Sequence, residues 1–235
     1  MISLRQISFS YNDNFNLYAD FIVECGEFVV VFGPNGSGKS SLLNLIAGFL
    51  PVQNGTILIS GKDITRYPPS KRGLSMLFQK NNLFTHLSVF KNIALGISSN
   101  LKVSKEQVKD IESILDRLDL LSCRDELPLS LSGGQVQKVA LARSLIQEKP
   151  LLLLDEPFSS LEPRIRHDLI KLVYQLSKEK FLTTLLVTHN PLEVKEQAET
   201  VIFMEEGKVS YYGSGQTFYE SKNSSIALYL DRQNV

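Results

Sequence analysis

Polar and apolar positions fall into three regimes along the chain. Residues 1–31 and 55–65 are rich in β-formers punctuated by Gly, Asn and Asp, and "GTILISGKDI" reads as a strand that turns at Gly61 and Lys62. "EFVVVFG" is apolar at five consecutive positions and ends in glycine, which predicts a strand covered on both faces, followed by a loop and then a helix in "SLLNLIAGFL". The middle is different. Ser104 with Gln107 makes a capping-box pattern, and Val108, Ile111, Ile114, Leu115 and Leu118 recur on one helical face, so a helical insert is expected there. After it, "PLLLLDEP" and "TTLLVTHN" are short apolar runs that each follow a helical stretch, the βα alternation of a parallel sheet. "VIFMEEGKVSYYG" predicts a hairpin turning at Gly207. No repeat or long linker interrupts this plan, and the last dozen residues are polar enough to be partly frayed.

Composition narrows the classes. With 235 residues, 43% of them hydrophobic, the chain can bury a sizeable core as a single compact unit. Lys plus Arg equals Asp plus Glu at 25 each, so no basic field draws the protein onto nucleic acid or anionic lipid. Cys25 and Cys123 lie far apart without metal spacing, which predicts two reduced, buried thiols and suits the cytoplasm. The N-terminus, "MISLRQISFS", lacks a charged segment followed by an apolar core, and the longest apolar runs are strand-sized, so the chain is not expected to cross a bilayer. Three Asn-x-Ser/Thr matches, at Asn35, Asn54 and Asn223, therefore read as accidents of composition.

The chemistry concentrates at three places. Gly33-Pro34-Asn35-Gly36-Ser37-Gly38-Lys39-Ser40 fits G-x-x-x-x-G-K-[ST], with the required strand before it and helix after it. Gly36 and Gly38 can take positive φ and turn backbone N–H groups inward, so loop and helix N-terminus form a concave anion site suited to nucleotide phosphates. Lys39 adds positive charge, Ser40 is placed to ligate Mg²⁺, and Ser41 could reach the α-phosphate. "LLLLDEP" supplies two adjacent acids at a strand end: Asp155 to hold Mg²⁺ through water, and Glu156 as general base or water-positioning carboxylate. Third, Ser132-Gly133-Gly134-Gln135 puts two glycines at the start of a helix, a second phosphate-binding geometry. Taken alone, that tetrapeptide is an ordinary helix cap.

The ordered set of glycine-rich loop, Gln79, "LSGGQ", "LLLLDEP" and His189 resembles the ATP-binding subunit of an ABC (ATP-binding cassette) transporter over nearly the whole chain. The resemblance implies one α/β domain over 1–235: a P-loop NTPase, RecA-like parallel-sheet core, an N-terminal antiparallel β subdomain, and an inserted α-helical subdomain at about 80–148. It implies ATP and Mg²⁺, with Tyr11 stacking on adenine. Gln79 would contact Mg²⁺ or water, and His189 would bond the γ-phosphate and orient Glu156. Ser132, Gly133, Gly134 and Gln135 would face the nucleotide of a second copy in a head-to-tail homodimer. Two departures stand out: Glu162 occupies a position where the family usually has Asp, and Val136 and Lys138 stand where arginines are common.

The segment 80–100 carries Leu83, Phe84, Leu87, Val89, Phe90, Ile93 and Leu95, enough apolar surface to accept a partner's helix, although several must serve the local core. By resemblance, an integral membrane permease docks there, with His86 near it, and a periplasmic solute-binding protein acts indirectly, which places the chain on the cytoplasmic face of a bacterial inner membrane. At finer grain, "LLNLIAGFLP" and "PPSKRGLSMLFQKNNLFTHLSVFKNIALGI" resemble ATPase subunits of bacterial thiamine importers; importers of iron, sulfate, polyamines or sugars share much of this frame. A soluble relative acting on DNA or ribosomes would carry a coiled-coil insertion or tandem cassettes. A phosphotransferase would leave "LSGGQ" unexplained.

Overall fold

The computed structural model describes residues 1–11, 15–78 and 83–231. The fully apolar run forms β3, Phe28–Phe32, and the helix after the glycine-rich loop forms α1, Lys39–Ala47. Side-chain alternation explains why β3 has no polar position. Val29 and Val31 pack into one core with α1 and the N-terminal strands, while Phe28, Val30 and Phe32 pack into a second core on the opposite face. Either face would lose its contacts to a polar substitution.

The β-rich beginning folds as β1, Ile2–Tyr11, and β2, Phe15–Val23, paired antiparallel, with β4, Asn54–Ile59, and the short β5, Lys62–Asp63, extending the same edge. The parallel core is β6, Leu74–Leu77; β7, Leu151–Asp155; β8, Thr183–Val187; β3; and β9, Thr200–Glu205. The predicted hairpin is present: β10, Lys208–Ser214, runs back antiparallel to β9 through Gly207 at φ +78°. A Cβ on Gly207 would lie 1.8 Å from the Asn16 carbonyl oxygen, so only glycine fits. The antiparallel and parallel parts join into one ten-stranded sheet of order β5-β4-β1-β2-β10-β9-β3-β8-β7-β6, with Lys208 opposite Tyr18 as the register pair at the β10–β2 seam.

Between β6 and β7 lie α2, Val89–Ala94, α3, Lys105–Arg117, and α4, Gly133–Leu145. The capping box at Ser104 and Gln107 is formed, and the apolar face of α3 buries Ile111, Ile114 and Leu115, with Leu118 at its C-cap. Lys138 on α4 donates to the Leu118 carbonyl at 2.9 Å, so the lysine caps the end of α3 with a single cation. Helix α5, Pro163–Glu179, leads into β8, and α6, Gly215–Tyr219, and α7, Ser224–Asp231, close the chain.

Two expectations need correction, while a third, that several apolar residues of 80–100 serve the local core, holds. The final residues are not frayed through 224–231: α7 docks there because Ile226 and Tyr229, three apart, face the core with Leu230 packed beside them, while 232–235 lie outside the described residues. Of the two thiols, Cys123 is buried but Cys25 is exposed, since it sits in the Gly26 turn where the chain surfaces between β2 and β3. Among the described residues of the 80–100 segment, Val89 and Ile93 are fully buried, Leu83 and Phe90 pack against the same core, and Leu87 and Leu95 are half-buried, leaving Phe84, 48% exposed, as the outward one of these apolar residues, with His86 exposed beside it.

Candidate active site

The glycine-rich loop wraps its own lysine. Lys39 is buried, and its Nζ donates to the carbonyls of Gly33 at 2.8 Å and Pro34 at 2.9 Å. Burial pushes the Lys39 pKa down, and the nearby Glu156 and Asp155 carboxylates push it back up. Each glycine has a separate steric reason. Gly33, at φ +147°, lies where a Cβ would meet the Met204 carbonyl oxygen at 2.2 Å, so the loop is pressed against β9. Gly38, at φ +101°, is the N-cap of α1 and sits over the ring of Phe15. Gly36, at φ +79°, has nothing within 4 Å of a Cβ, so its backbone faces open space. Ser37 is buried behind the loop.

That open space is a cavity of about 310 Å³ lined by Tyr11, Phe15, Asn35, Gly36, Gly38, Lys39, Ser40, Ser41 and Glu156. Tyr11 stands at its rim, 45% exposed, with its ring centroid 6.4 Å from that of Phe15. Phe15 was not a sequence candidate. Its only signal is an aromatic at the start of a strand, which is ordinary for a core residue.

The acids meet the loop at the strand ends. Ser40 Oγ donates to Asp155 Oδ1 at 2.9 Å, bringing together two hard oxygen donors 115 residues apart in sequence. Burial raises the Asp155 pKa, the Ser40 hydrogen bond lowers it, Glu156 raises it and Lys39 lowers it. Glu156 follows at φ +45°, a left-handed conformation that a non-glycine residue adopts under constraint, and its amide donates to the Val187 carbonyl at 3.1 Å. His189, just past β8, places Nδ1 3.7 Å from Glu156 Oε2: near enough to act on the carboxylate, too far for a hydrogen bond. Gln79 lies outside the described residues.

The Ser132 turn stands apart from this cavity and lines no part of it. It forms a complete capping box: the Ser132 amide donates to Gln135 Oε1 at 2.9 Å, and the Gln135 amide donates to Ser132 Oγ at 3.3 Å. Gln135 Nε2 also reaches Cys123 Sγ at 3.3 Å. Ser132 and Gly133 are exposed, Gly134 and Gln135 half-buried. Glu162 is the N-cap of α5 but makes no side-chain cap bond, in keeping with its extra methylene over the short acids that cap well.

The model of the family described as ABC transporter matches residues 18–159. The chain belongs to the ABC transporter family. It is therefore a nucleotide-binding ATPase subunit of a transporter complex that includes a membrane permease. Among relatives of this ABC protein, the thiamine import ATP-binding protein ThiQ of Histophilus somni is 45% identical over 210 residues, covering 89% of this chain and 97% of the relative. The protein of the same name from Yersinia pseudotuberculosis is 44% identical over 228 residues, covering 97% and 96%. Among solved structures, an ATP-binding cassette of an ABC transporter in its ADP conformation superposes with TM-score 0.86 at 26% identity, covering 98% of both chains. The cbiO1 protein of Clostridium perfringens, part of the ABC transporter complex cbiONQ, gives TM-score 0.83 at 28% identity, covering 98% of this chain and 96% of that one. No helix among the described residues is long and apolar enough to cross a membrane.

Two positioning residues escaped sequence reading. Asn92, fully buried on α2, accepts from the Phe84 amide at 2.9 Å and donates to the carbonyls of Phe84, Leu87 and Ser88, holding the loop that displays Phe84 and His86. Arg72, also buried, ties the end of α1 to the segment before β6. Neither residue belongs to a periodic pattern or a motif.

Proposed function

We propose that the chain is the ATPase subunit of a thiamine importer, acting as a head-to-tail homodimer on the cytoplasmic face of a bacterial inner membrane, with a periplasmic binding protein engaged only through the permease. The phosphates lie against the amides of Gly36, Gly38 and Lys39 and the Lys39 ammonium, with Asn35 and Ser41 flanking them and adenine stacked on Tyr11. The pair formed by the buried Asp155 carboxylate and the Ser40 hydroxyl, which opens to the cavity, fits Mg²⁺, since both are hard donors and the ion would relieve the cost of an ionised carboxylate held out of water. Mg²⁺ would be held by Ser40, by Asp155 through water and by Gln79, and would supply charge neutralisation on the phosphates. Glu156 orients and deprotonates the attacking water, and His189 steadies both Glu156 and the γ-phosphate.

The observation that carries this reading is the placement of Glu156 at a constrained backbone position on the wall of the same cavity that the phosphate loop opens into. The Gly133 and Gly134 amides at the start of α4 are donors for the nucleotide held by the second copy. Two closed copies would enclose two nucleotides, and hydrolysis would reopen the pair. The permease docks on the exposed edge of 80–100 around Phe84 and His86, whose rings stand 6.0 Å apart. The solute follows from the ThiQ relatives, because no residue of an ATPase subunit touches cargo. Glu156→Gln is expected to retain ATP and lose nearly all turnover; near-normal hydrolysis by it overturns the catalytic assignment. Uptake of labelled thiamine by cells lacking this chain tests the solute, and unchanged uptake refutes it.

A further inference from the structure

The two C-terminal helices carry phenols, Tyr229 buried and Tyr219 half-buried, that reach the loop bearing His189. Tyr229 on α7 donates its hydroxyl to the His189 carbonyl at 3.1 Å, and Tyr219 at the end of α6 donates to the Pro191 carbonyl at 2.6 Å. The backbone of Gly33, the first residue of the phosphate loop, draws the Tyr229 phenol's pKa down against burial, and the Glu156 carboxylate acts on it in the opposite sense, so the hydroxyl stands near both. Its ring is wedged between Phe32 and Phe203, at centroid distances of 6.4 and 5.0 Å. Phe32 ends the strand that feeds the phosphate loop and Phe203 lies on the neighbouring strand, so the phenol is fixed by the same core that fixes the loop.

We propose that Tyr229, assisted by Tyr219, is a positioning residue for hydrolysis: its hydroxyl joins the start of the phosphate loop to the His189 segment and sets where the imidazole stands relative to Glu156. The inference rests on the catalytic reading of Glu156 and His189 above. Geometry supports it in three ways. The His189 side chain is 43% exposed and 3.7 Å from Glu156, beyond hydrogen-bond range, so among the described residues its placement falls chiefly to its backbone. Two carbonyls of the three residues 189–191 are held from outside the segment, both by phenols of the C-terminal helices. A phenol can face the Gly33 backbone and donate to the His189 carbonyl at once, which neither phenylalanine nor leucine could do in the same space. Burial pushes the Tyr229 phenol up to about 12, so it remains a proton donor throughout the neutral range.

The test uses the full chain and the Phe variants, which keep the rings and remove only the hydroxyls. The protein has three histidines, so imidazole resonances can be assigned by loss of one signal in His189→Ala. Tyr229→Phe is expected to shift the His189 signal, leave those of His86 and His167 in place, and lower kcat roughly three- to tenfold at nearly unchanged KM, the scale of one lost hydrogen bond. Tyr219→Phe is expected to do the same more weakly, and the double variant to exceed either. An unshifted His189 signal in Tyr229→Phe overturns the proposal whatever turnover does, and a shifted signal with wild-type kcat overturns the role in hydrolysis. If instead Glu156→Gln hydrolyses ATP normally, the catalytic reading fails while the Tyr229 to His189 linkage is still read by the resonance.

Discussion

Replacing Arg72 with methionine removes a charge from the interior and leaves its partners behind. Arg72 is 4% exposed, and its guanidinium donates from Nη1 to the carbonyls of Leu45 at 2.7 Å and Ile46 at 2.8 Å, from Nε to Tyr67 at 2.8 Å and from Nη2 to Thr65 at 2.9 Å. Leu45 and Ile46 lie in the last turn of α1, where the helix dipole is negative; the Leu45 carbonyl is shared with the Gly48 amide at 3.2 Å. Burial lowers the Arg72 pKa, as it must for a cation held from water, and the four carbonyls are what offset that cost. Methionine fills much of the stem's volume, so the loss is mainly hydrogen bonding. A bond from a charged donor contributes about 1.5–3 kcal/mol, but a buried charged cluster broken from one side loses about 3–5 kcal/mol rather than the sum of its bonds. For a chain of this length that lowers the melting midpoint by about 6–20 °C, at about 2–4 °C per kcal/mol. Arg72→Lys keeps the charge without the planar fork and is expected to recover less than half of the loss. Urea unfolding of the three proteins, with ATP affinity measured on the same preparations, decides the matter. An Arg72→Met protein within about 1 kcal/mol of the parent, or full rescue by lysine, would mean that the fork does not close α1.

Asp155 offers a stability test with a defined sign. Its folded pKa is raised above the ordinary 3.8, so the protonated form favours folding, and that contribution is present below 3.8 and lost as pH rises through the folded value. Asp155→Asn is therefore expected to raise the nucleotide-free melting temperature at neutral pH, with the gain shrinking toward pH 4, while abolishing turnover; a lower melting temperature at neutral pH contradicts it. Gly33→Ala and Gly36→Ala should separate fold from ligand, because a Cβ meets the Met204 carbonyl at 2.2 Å in the first and nothing within 4 Å in the second. The first is expected to melt far lower, and the second to melt within about 1–2 kcal/mol of the parent yet lose ATP affinity; equal destabilisation would refute the distinction. Asn92→Ala should release the 84–88 loop and weaken co-purification with the permease while ATP affinity holds, and intact co-purification would remove that loop from the docking surface.

Most of the fold was legible because its elements carry strong local signals. The unbroken apolar run of β3 could only be a strand covered twice, and its two faces do divide between two cores. The capping box of α3 and the turn at Gly207 are written in residue types with few alternative uses. The phosphate loop was legible for the same reason. What escaped was whatever depends on a single side chain meeting backbone far away. Arg72 bonds carbonyls of α1 and of the Thr65 to Tyr67 segment, Asn92 bonds the loop before its own helix, and Tyr229 bonds His189 from a segment 40 residues further on. A carbonyl has no residue type, so such contacts leave no pattern in the sequence. The exposed Cys25 and the docked α7 were misread by composition, which records what a residue is and not which way the chain turns it.

The Ser132 turn shows why some ambiguity is physical and not a failure of reading. A helix cap and an anion site require the same backbone: an extended N-cap residue followed by a first turn whose amides point outward. The capping box here engages the side chains of Ser132 and Gln135 and the amides of those two residues. It makes no claim on the amides of Gly133 and Gly134; the space at Gly133 is open, and at Gly134 the Leu161 side chain lies 3.4 Å from where a Cβ would stand. Both readings can hold at once, the cap fixing the turn so that an incoming phosphate meets amides already in place. Ser132→Ala would break the reciprocal cap while leaving the two glycine amides present. It is therefore a test of how much the preset turn matters, separate from whether a phosphate binds there at all.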